Sequence, residues 1–175
     1  ITKSWSTLAT TGSVSLGYSF IRIDGATGDI YLLKNNEFIE KITSAGGTPT
    51  NLVIPQLDKT SAYAGADASG NMFLLCDDGS ISKVTSGGVE TTNWATFSNS
   101  LVEIPPVTDG SGHVYMLETN GSTNNLLKFS STGGTAVSST NLGDVNIRSI
   151  SIDGSGNIYM LNDFNKKIIR VTSAG

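Results

Sequence analysis

Asp153-Gly154-Ser155-Gly156-Asn157-Ile158-Tyr159 is the fourth occurrence of one phrase. The earlier three are Asp24-Gly25-Ala26-Thr27-Gly28-Asp29-Ile30-Tyr31, Asp67-Ala68-Ser69-Gly70-Asn71-Met72-Phe73 and Asp109-Gly110-Ser111-Gly112-His113-Val114-Tyr115. The aromatic that closes each phrase returns after 42, 42 and 44 residues. A steady period of roughly 20–50 residues marks a fold assembled from equal units.

Outward from the fourth copy, Arg148 to Asp153 alternates apolar and polar residues, as a half-buried strand does. The glycines of the phrase admit positive φ, and Asp153 can accept backbone N–H groups across the turn. Ile158-Tyr159-Met160-Leu161 is a continuous apolar run, the mark of a strand covered on both faces. A polar loop follows, then a third strand from Lys167 to Thr172. The other copies place third strands at Phe38 to Thr43, Ile81 to Thr85 and Leu126 to Ser130. Each carries a basic residue before its last apolar one: Lys41, Lys83, Lys128 and Arg170. Fourth strands fit Thr50 to Ile54, Glu90 to Ala95 and Thr135 to Asn141.

Four short strands per unit, joined by tight turns, make one blade of a β-propeller. No stretch carries a helical period, and the rungs of the rival β-solenoid are shorter. The expected class is therefore all-β: a propeller of about four blades, or part of a larger one. The 1–175 chain reads as a single propeller domain or propeller fragment. Its blades fall near 20–61, 62–103, 104–147 and 148–175, with 1–19 completing a blade. The chain begins and ends inside a unit. Either Ile1 to Leu16 closes the ring with a missing outer strand, or other blades complete it, because open sheet edges need covering.

The order of inner strand, Asp-Gly-x-Gly-Asn turn, apolar-Tyr strand, polar loop and apolar-x-Lys/Arg-apolar strand resembles the NHL repeat. It is also similar to the repeats of virginiamycin B lyase and gluconolactonase-like propellers, over residues 20 to 175. The resemblance implies that the first strand of each blade lines a central channel: Phe20 to Ile23, Tyr63 to Ala66, Pro105 to Thr108 and Ser149 to Ile152. It implies that the loops between second and third strands share one rim with the connections between blades. The Asp-Gly turns would occupy the opposite rim. Candidate ligand-binding residues on the rim loops are Asp77, Asp78, Glu118, Asn120, Asn124, Asn162 and Asp163. Folds of this kind host binding modules, lyases, lactonases and structural parts alike, so fold alone assigns no activity.

Composition narrows the partners. Charged residues are 15% of the chain, against about 25% in a typical soluble domain. Ser and Thr supply about a quarter of it. Hydrophobic residues at 38% and a mean hydropathy of -0.01 argue against disorder. That surface of hydroxyls and amides fits an extracellular, cell-surface or virion protein. The net charge of -4 and a densest basic pair of Lys166-Lys167 leave no footprint for nucleic acid. No run reaches the ~18 apolar residues of a membrane span. Cys76 stands alone and reads as a small buried hydrophobe.

Catalytic sets are thin. Calcium is a possible occupant of the Asp-Gly turns but disfavoured, because each turn offers one or two carboxylates and calcium takes about 6–8 oxygens. No cofactor or metal is otherwise expected. His113, the one histidine, occupies the position held by Asp29, Asn71 and Asn157 and reads as a turn variant. Glu103, Asp58 and Asp144 precede strands at rim positions without recurring in the repeat. The loop Glu118 to Asn125 is longer than its counterparts, rich in Asn and Thr, and contains the sequon Asn120-Gly121-Ser122. Trp5 and Trp94 fall on outer strands, packed between strands. Together these features favour a non-catalytic binding or structural propeller that uses rim loops for protein or glycan contacts. The alternative is a propeller enzyme of lyase or lactonase type with a metal-assisted rim site.

Overall fold

The computed structural model describes residues 18–23, 27–34, 38–52, 60–76, 78–143 and 146–173. Four antiparallel sheets follow one another along the chain. The first holds β1 (Tyr18–Ile23), β2 (Ile30–Lys34), β3 (Phe38–Ile42) and β4 (Thr50–Leu52). The second holds β5 (Thr60–Ala66), β6 (Met72–Cys76), β7 (Ile81–Val84) and β8 (Glu90–Ala95). β9 (Ser100–Leu101), β10 (Val107–Thr108), β11 (Val114–Thr119), β12 (Asn124–Phe129) and β13 (Ser138–Gly143) form the third. The fourth comprises β14 (Ile147–Ile152), β15 (Ile158–Asn162) and β16 (Lys167–Val171). Their inner strands touch in the order β1, β5, β10, β14. This is the arrangement of a four-bladed β-propeller, as the repeat implied. The segment 1–17, assigned above to blade completion, lies outside the described residues together with Trp5, Asp24, Asp58, Asp77 and Asp144.

The turn phrase is a side-chain staple. The Asp67 Oδ1 atom accepts the N–H groups of Ser69 and Asn71, both at 2.9 Å. Its Oδ2 accepts the Asn71 side-chain amide at 2.8 Å. Asp153 repeats this with Ser155 and Asn157, and gains the Tyr159 hydroxyl at 3.1 Å. At Asp109 the His113 ring replaces the amide, its Nδ1 lying 2.8 Å from Oδ2. Histidine therefore preserves the bond that asparagine makes in two sister turns. In the first copy Asp29 works differently. It pairs with Lys41 at 2.9 Å and accepts the Ser44 N–H.

The staple gives the fold a pH signature. Hydrogen bonds from the Asn157 side chain, then its backbone N–H, hold the Asp153 carboxyl down to about 2. A carboxyl of the unfolded chain titrates near ~3.9, so stabilisation is full above that value and is lost as pH falls through about 2. Asp109 is lowered too: burial pushes it up, but the His113, Tyr115 and Ser111 donors outweigh that. Thermal melts should be flat from pH 7 to about 5 and decline steeply below about 4. In the Asp153→Asn variant the decline should be shallower. Equal declines in variant and parent would refute the staple account.

The recurring basic residue is explained by register. Lys41, Lys83, Lys128 and Arg170 pair across strands with Tyr31, Phe73, Tyr115 and Tyr159. The three lysine ammonium groups stand 5.5–5.7 Å from their ring centroids. Each covers an aromatic face while keeping its charge wet, a cation–π contact.

Three hydrophobic clusters join successive blades. Tyr31 and Ile39 meet Met72, Leu74 and Val84 between blades 1 and 2. Phe73, Ile81 and Trp94 meet Val114, Met116, Leu127 and Phe129 between blades 2 and 3. Tyr115, Leu117 and Leu126 meet Ile147, Ile158 and Met160 between blades 3 and 4. The middle strands β6 and β11 are buried nearly end to end, which is why their sequences are unbroken apolar runs. The outward faces of the end blades are different. Ile21, Ile23, Leu161 and Ile168 are exposed there, opposite in pleat to Tyr31 and Met160, and no cluster among the described residues covers them.

The third blade departs from expectation at its inner strand. The resemblance implies a channel strand at Pro105 to Thr108. Instead β9 and β10 share one edge of β11 with a gap between them. Pro105 and Pro106 have no N–H to give the ladder, so pairing stops and resumes at Val107. Gly65 of β5 packs against this break: a Cβ there would lie 2.2 Å from the Pro106 carbonyl oxygen. The fourth strand of that blade also starts later than expected, at Ser138 rather than Thr135.

Candidate functional site

Among the described residues, two concave places carry polar side chains at the surface. The first is a groove on the rim between blades 2 and 3. The turn from β6 to β7 forms one wall and the connection from β8 to β9 the other. Two adjoining cavities of about 320 and 400 Å³ share Asp78, Gly79 and Ser100. Leu75, Cys76 and Leu101 line the inner part, with Glu103 beside them. Asn93, Phe97 and Asn99 line the outer part.

Local sequence explains this shape. Asp78 accepts the Ser80 N–H at 2.9 Å and its hydroxyl at 2.6 Å, and Gly79 takes φ 81°, so the turn is short and rigid. A Cβ on Gly79 would meet nothing, so the groove is open at that point. Opposite, Phe97 is anchored by an edge-on contact with the Phe129 ring at 5.4 Å. Phe129 in turn stacks near Trp94, and Trp94 near Phe73. The groove wall is therefore an extension of the core between blades 2 and 3.

The second place is the axial cavity, about 430 Å³. Arg22 of β1, Ala66 of β5, Thr108 of β10 and Arg148 to Ile152 line it, with Ile104 to Val107 along the broken strand. These are the strands the resemblance puts at the channel. Thr108 ties two of them together by donating its hydroxyl to the Ala66 carbonyl at 2.8 Å. Among the described residues of that lining, the charged ones are Arg22 and Arg148. Burial pulls the Arg22 guanidinium below its ordinary value, and Arg148 stands 3.7 Å from Asp163 through Nε.

The rim residues singled out from the sequence are distributed over three blades. Asp77 lies outside the described residues. Asp78 opens onto the groove. Glu118 is buried at the end of β11, its Oε1 accepting the Asn125 amide at 3.1 Å while Oε2 has no hydrogen-bond partner. Asn120 is a turn staple: its Oδ1 accepts the N–H groups of Ser122 and Thr123. Asn124 begins β12, opposite Thr119 and Gly143. Asn162 is buried and accepts the Phe164 and Asn165 N–H groups. Asp163 pairs with Lys166 at 2.6 Å, and the Lys166 hydrogen bond holds its carboxyl below the usual range.

Sequence reasoning missed Phe97, Leu101 and Arg148; it placed Ser100 on a rim connection and Arg22 on a channel strand without singling either out as a site residue. For the arginines a signal existed: each is a charge within or beside an otherwise apolar or hydroxyl inner strand. Trp94 is buried between blades 2 and 3. Among the described residues no three His, Cys, Asp or Glu side chains gather as a metal-holding group. No helix among them is long and apolar enough to cross a membrane.

No family model matches the chain, and no curated protein matches it. Solved propellers do. A streptogramin B lyase structure is 18% identical, with 87% of this chain and 51% of that one covered at TM-score 0.63. A catalytically inactive virginiamycin B lyase from Staphylococcus aureus with quinupristin is 16% identical, covering 89% and 52% at TM-score 0.63. YCF48 bound to D1 peptide is 15% identical, covering 99% and 56% at TM-score 0.68. The chain thus spans about half the length of these structures. Identities this low establish the propeller fold, shared by proteins of different function.

Proposed function

We propose that this chain is a non-catalytic binding propeller that engages a protein partner along the rim groove between blades 2 and 3. One observation carries the proposal. The groove is the place where a rim turn, an inter-blade connection and an anchored aromatic, Phe97, meet around open space. Rigid turns with polar tips, set beside apolar floor residues, are the ordinary makings of a peptide-binding surface. Asp78 and Glu103 on the walls favour a segment carrying Lys or Arg. That YCF48, a structural neighbour, was solved with a peptide supports this direction. The low charge and abundance of Ser and Thr support an extracellular, cell-surface or virion setting.

The test is selection of peptides from a random displayed library on the folded chain. Selected peptides are expected to be basic, and to lose at least about tenfold in affinity on Ser100→Arg, which fills the groove. Circular dichroism should stay unchanged. Peptides indifferent to Ser100→Arg and Phe97→Ala would contradict the proposal, as would selective binding on a glycan array with no peptide selected. Turnover of a lactone or of a cyclic depsipeptide would favour the enzyme alternative.

A further inference from the structure

We infer that two copies of this chain pair head to tail, the outward face of blade 4 in each docking on the outward face of blade 1 in the other, to close one ring of eight blades. The inference does not rest on the rim groove, which lies between blades 2 and 3.

The repeat dictates which face fits which. At each junction inside the chain the preceding blade offers equivalent positions of its second and third strands: Tyr31 and Ile39, then Phe73, Leu75 and Ile81, then Tyr115, Leu117 and Leu126. The following blade answers with the opposite pleat of its second strand: Met72 and Leu74, then Val114 and Met116, then Ile158 and Met160. Register carries these equivalences to the end blades. In blade 4, Leu161 pairs with Ile168 as Leu75 pairs with Ile81 and Leu117 with Leu126. In blade 1, Ile21 and Ile23 pair with Leu32 and Ile30 as Ile150 and Ile152 pair with Met160 and Ile158. Blade 4 therefore presents the preceding half of a junction and blade 1 the following half.

Both halves are open. Ile81 is 0% exposed and Leu126 3%, whereas Ile168, at the same position, is 73% exposed. Leu161 is 46% exposed, against 5% for Leu75 and 3% for Leu117. Ile21 and Ile23 are 58% and 62% exposed, while their counterparts Ile150 and Ile152 pack, partly buried, on the cluster between blades 3 and 4. Glu40 and Ile42 of β3 are buried, so the open part of the blade 1 face is its inner strand, with Ile30 and Leu32 half-buried beside it. Exposed apolar patches of this kind mark interaction sites.

A second copy is the occupant these faces specify. Each face is the complement of the one at the other end, so the chain carries both halves of its own interface. Two copies related by a twofold axis satisfy all the faces at once, and the assembly closes. Four blades from each chain make a ring of eight, within the common range of roughly four to eight. The chain spans 51–56% of its solved neighbours, so a pair has about the length of one such chain. Because the pair forms the junction twice, each junction needs to bury only about half of the roughly 1,200–2,000 Å² of a specific interface.

Sedimentation equilibrium of the purified chain over roughly 1–100 µM decides the matter. At the upper end the mass should be twice the 18.3 kDa of one chain, and added salt should not dissociate the pair, because the junction is apolar. Ile168→Asp and Ile21→Arg alter side chains that are exposed in the single chain, so each should stay folded by circular dichroism. Each alone should self-associate at least about tenfold more weakly. Mixed in equal amounts they should pair again. One junction of the mixed pair joins two unaltered faces, and the other sets the new carboxylate against the new guanidinium. Val137→Asp, exposed on blade 3, should leave the pair intact. The inference is overturned if the unaltered chain stays monomeric throughout, which leaves these faces to further blades or to an unlike partner. It is overturned equally by a ladder of larger species, by either face variant pairing as well as the parent, or by mixing that restores nothing. The mass of the unaltered chain is itself a test, so a variant that fails to fold does not leave the question open.

Discussion

Replacing Gly133 with Ala should be among the most damaging single-methyl changes in this chain. Gly133 sits at φ 80°, in the left-handed region that costs an L-residue about 1–2 kcal/mol. A Cβ there would lie 2.0 Å from the Trp94 carbonyl oxygen and 2.8 Å from its indole Nε1 and Cε2. The oxygen is backbone and cannot swing aside. It already accepts the Gly134 N–H at 2.8 Å, while the Thr96 N–H reaches the Gly134 carbonyl at 3.0 Å. These bonds stitch blade 2 to blade 3, so the methyl must push the blades apart. Overpacking of this kind costs about 1–3 kcal/mol more. The expected total is roughly 2–5 kcal/mol, a fall in Tm of about 10 °C for a domain of this size. Two other glycines separate the contributions. Gly121 has φ 89° with nothing near its Cβ position, so Gly121→Ala should show strain alone. Gly110 has neither strain nor a neighbour and should tolerate Ala without loss. If all three variants melt alike, the close approach at Trp94 is not what joins the blades.

Phe129→Ala attacks the same junction from inside. Phe129 is fully buried. Its ring lies 6.0 Å from Trp94 and 5.4 Å from Phe97. Truncating a buried phenylalanine costs about 3–5 kcal/mol, lost packing and residual cavity together. Denaturant melts should show the midpoint moving with little change in slope. The effect should not stop at stability. Phe97 loses the ring that holds it against the groove, so a peptide selected on the parent should bind Phe129→Ala more weakly at temperatures where the variant is still folded. Unchanged peptide affinity would mean the groove wall stands without the core beneath it.

Periodicity carried most of the architecture. The recurring aromatic, the Asp-Gly turn and the basic residue of the third strand each repeat because each answers the same local demand. Asp67, Asp109 and Asp153 close hairpins with their own carboxylates. Lys41, Lys83 and Lys128 cover rings one strand away. Such demands are met within a few residues or one register step, and a single sequence displays them. The site is different in kind. Arg22 and Arg148 share a cavity only because four inner strands converge, and Asp78 meets Ser100 only because blades 2 and 3 pack side by side. Separations in space of that sort leave no spacing in the chain. The candidates chosen for being polar and on rim loops illustrate the difficulty. Asn120 and Asn162 read from the sequence as ligand-binding residues of the rim loops, yet both use their Oδ1 atoms to accept N–H groups of their own loops. Turn chemistry and ligand chemistry recruit the same residue types, and only contacts distinguish them. The repeat pattern argues for a strand from Pro105 to Thr108, but Pro105 and Pro106 have no N–H groups to pair, and the ladder resumes only at Val107.

On the proposed function, the repeated phrase builds the scaffold and binding resides where the blades differ. Amide chemical-shift mapping of the labelled chain against a peptide selected on it tests this most directly. The perturbed amides are expected to be Asp78 to Ser80 and Phe97 to Leu101, with the three stapled turns silent. Perturbation centred on Asp67 to Asn71, Asp109 to His113 and Asp153 to Asn157 would contradict it and return the Asp-Gly phrase to the status of a binding motif.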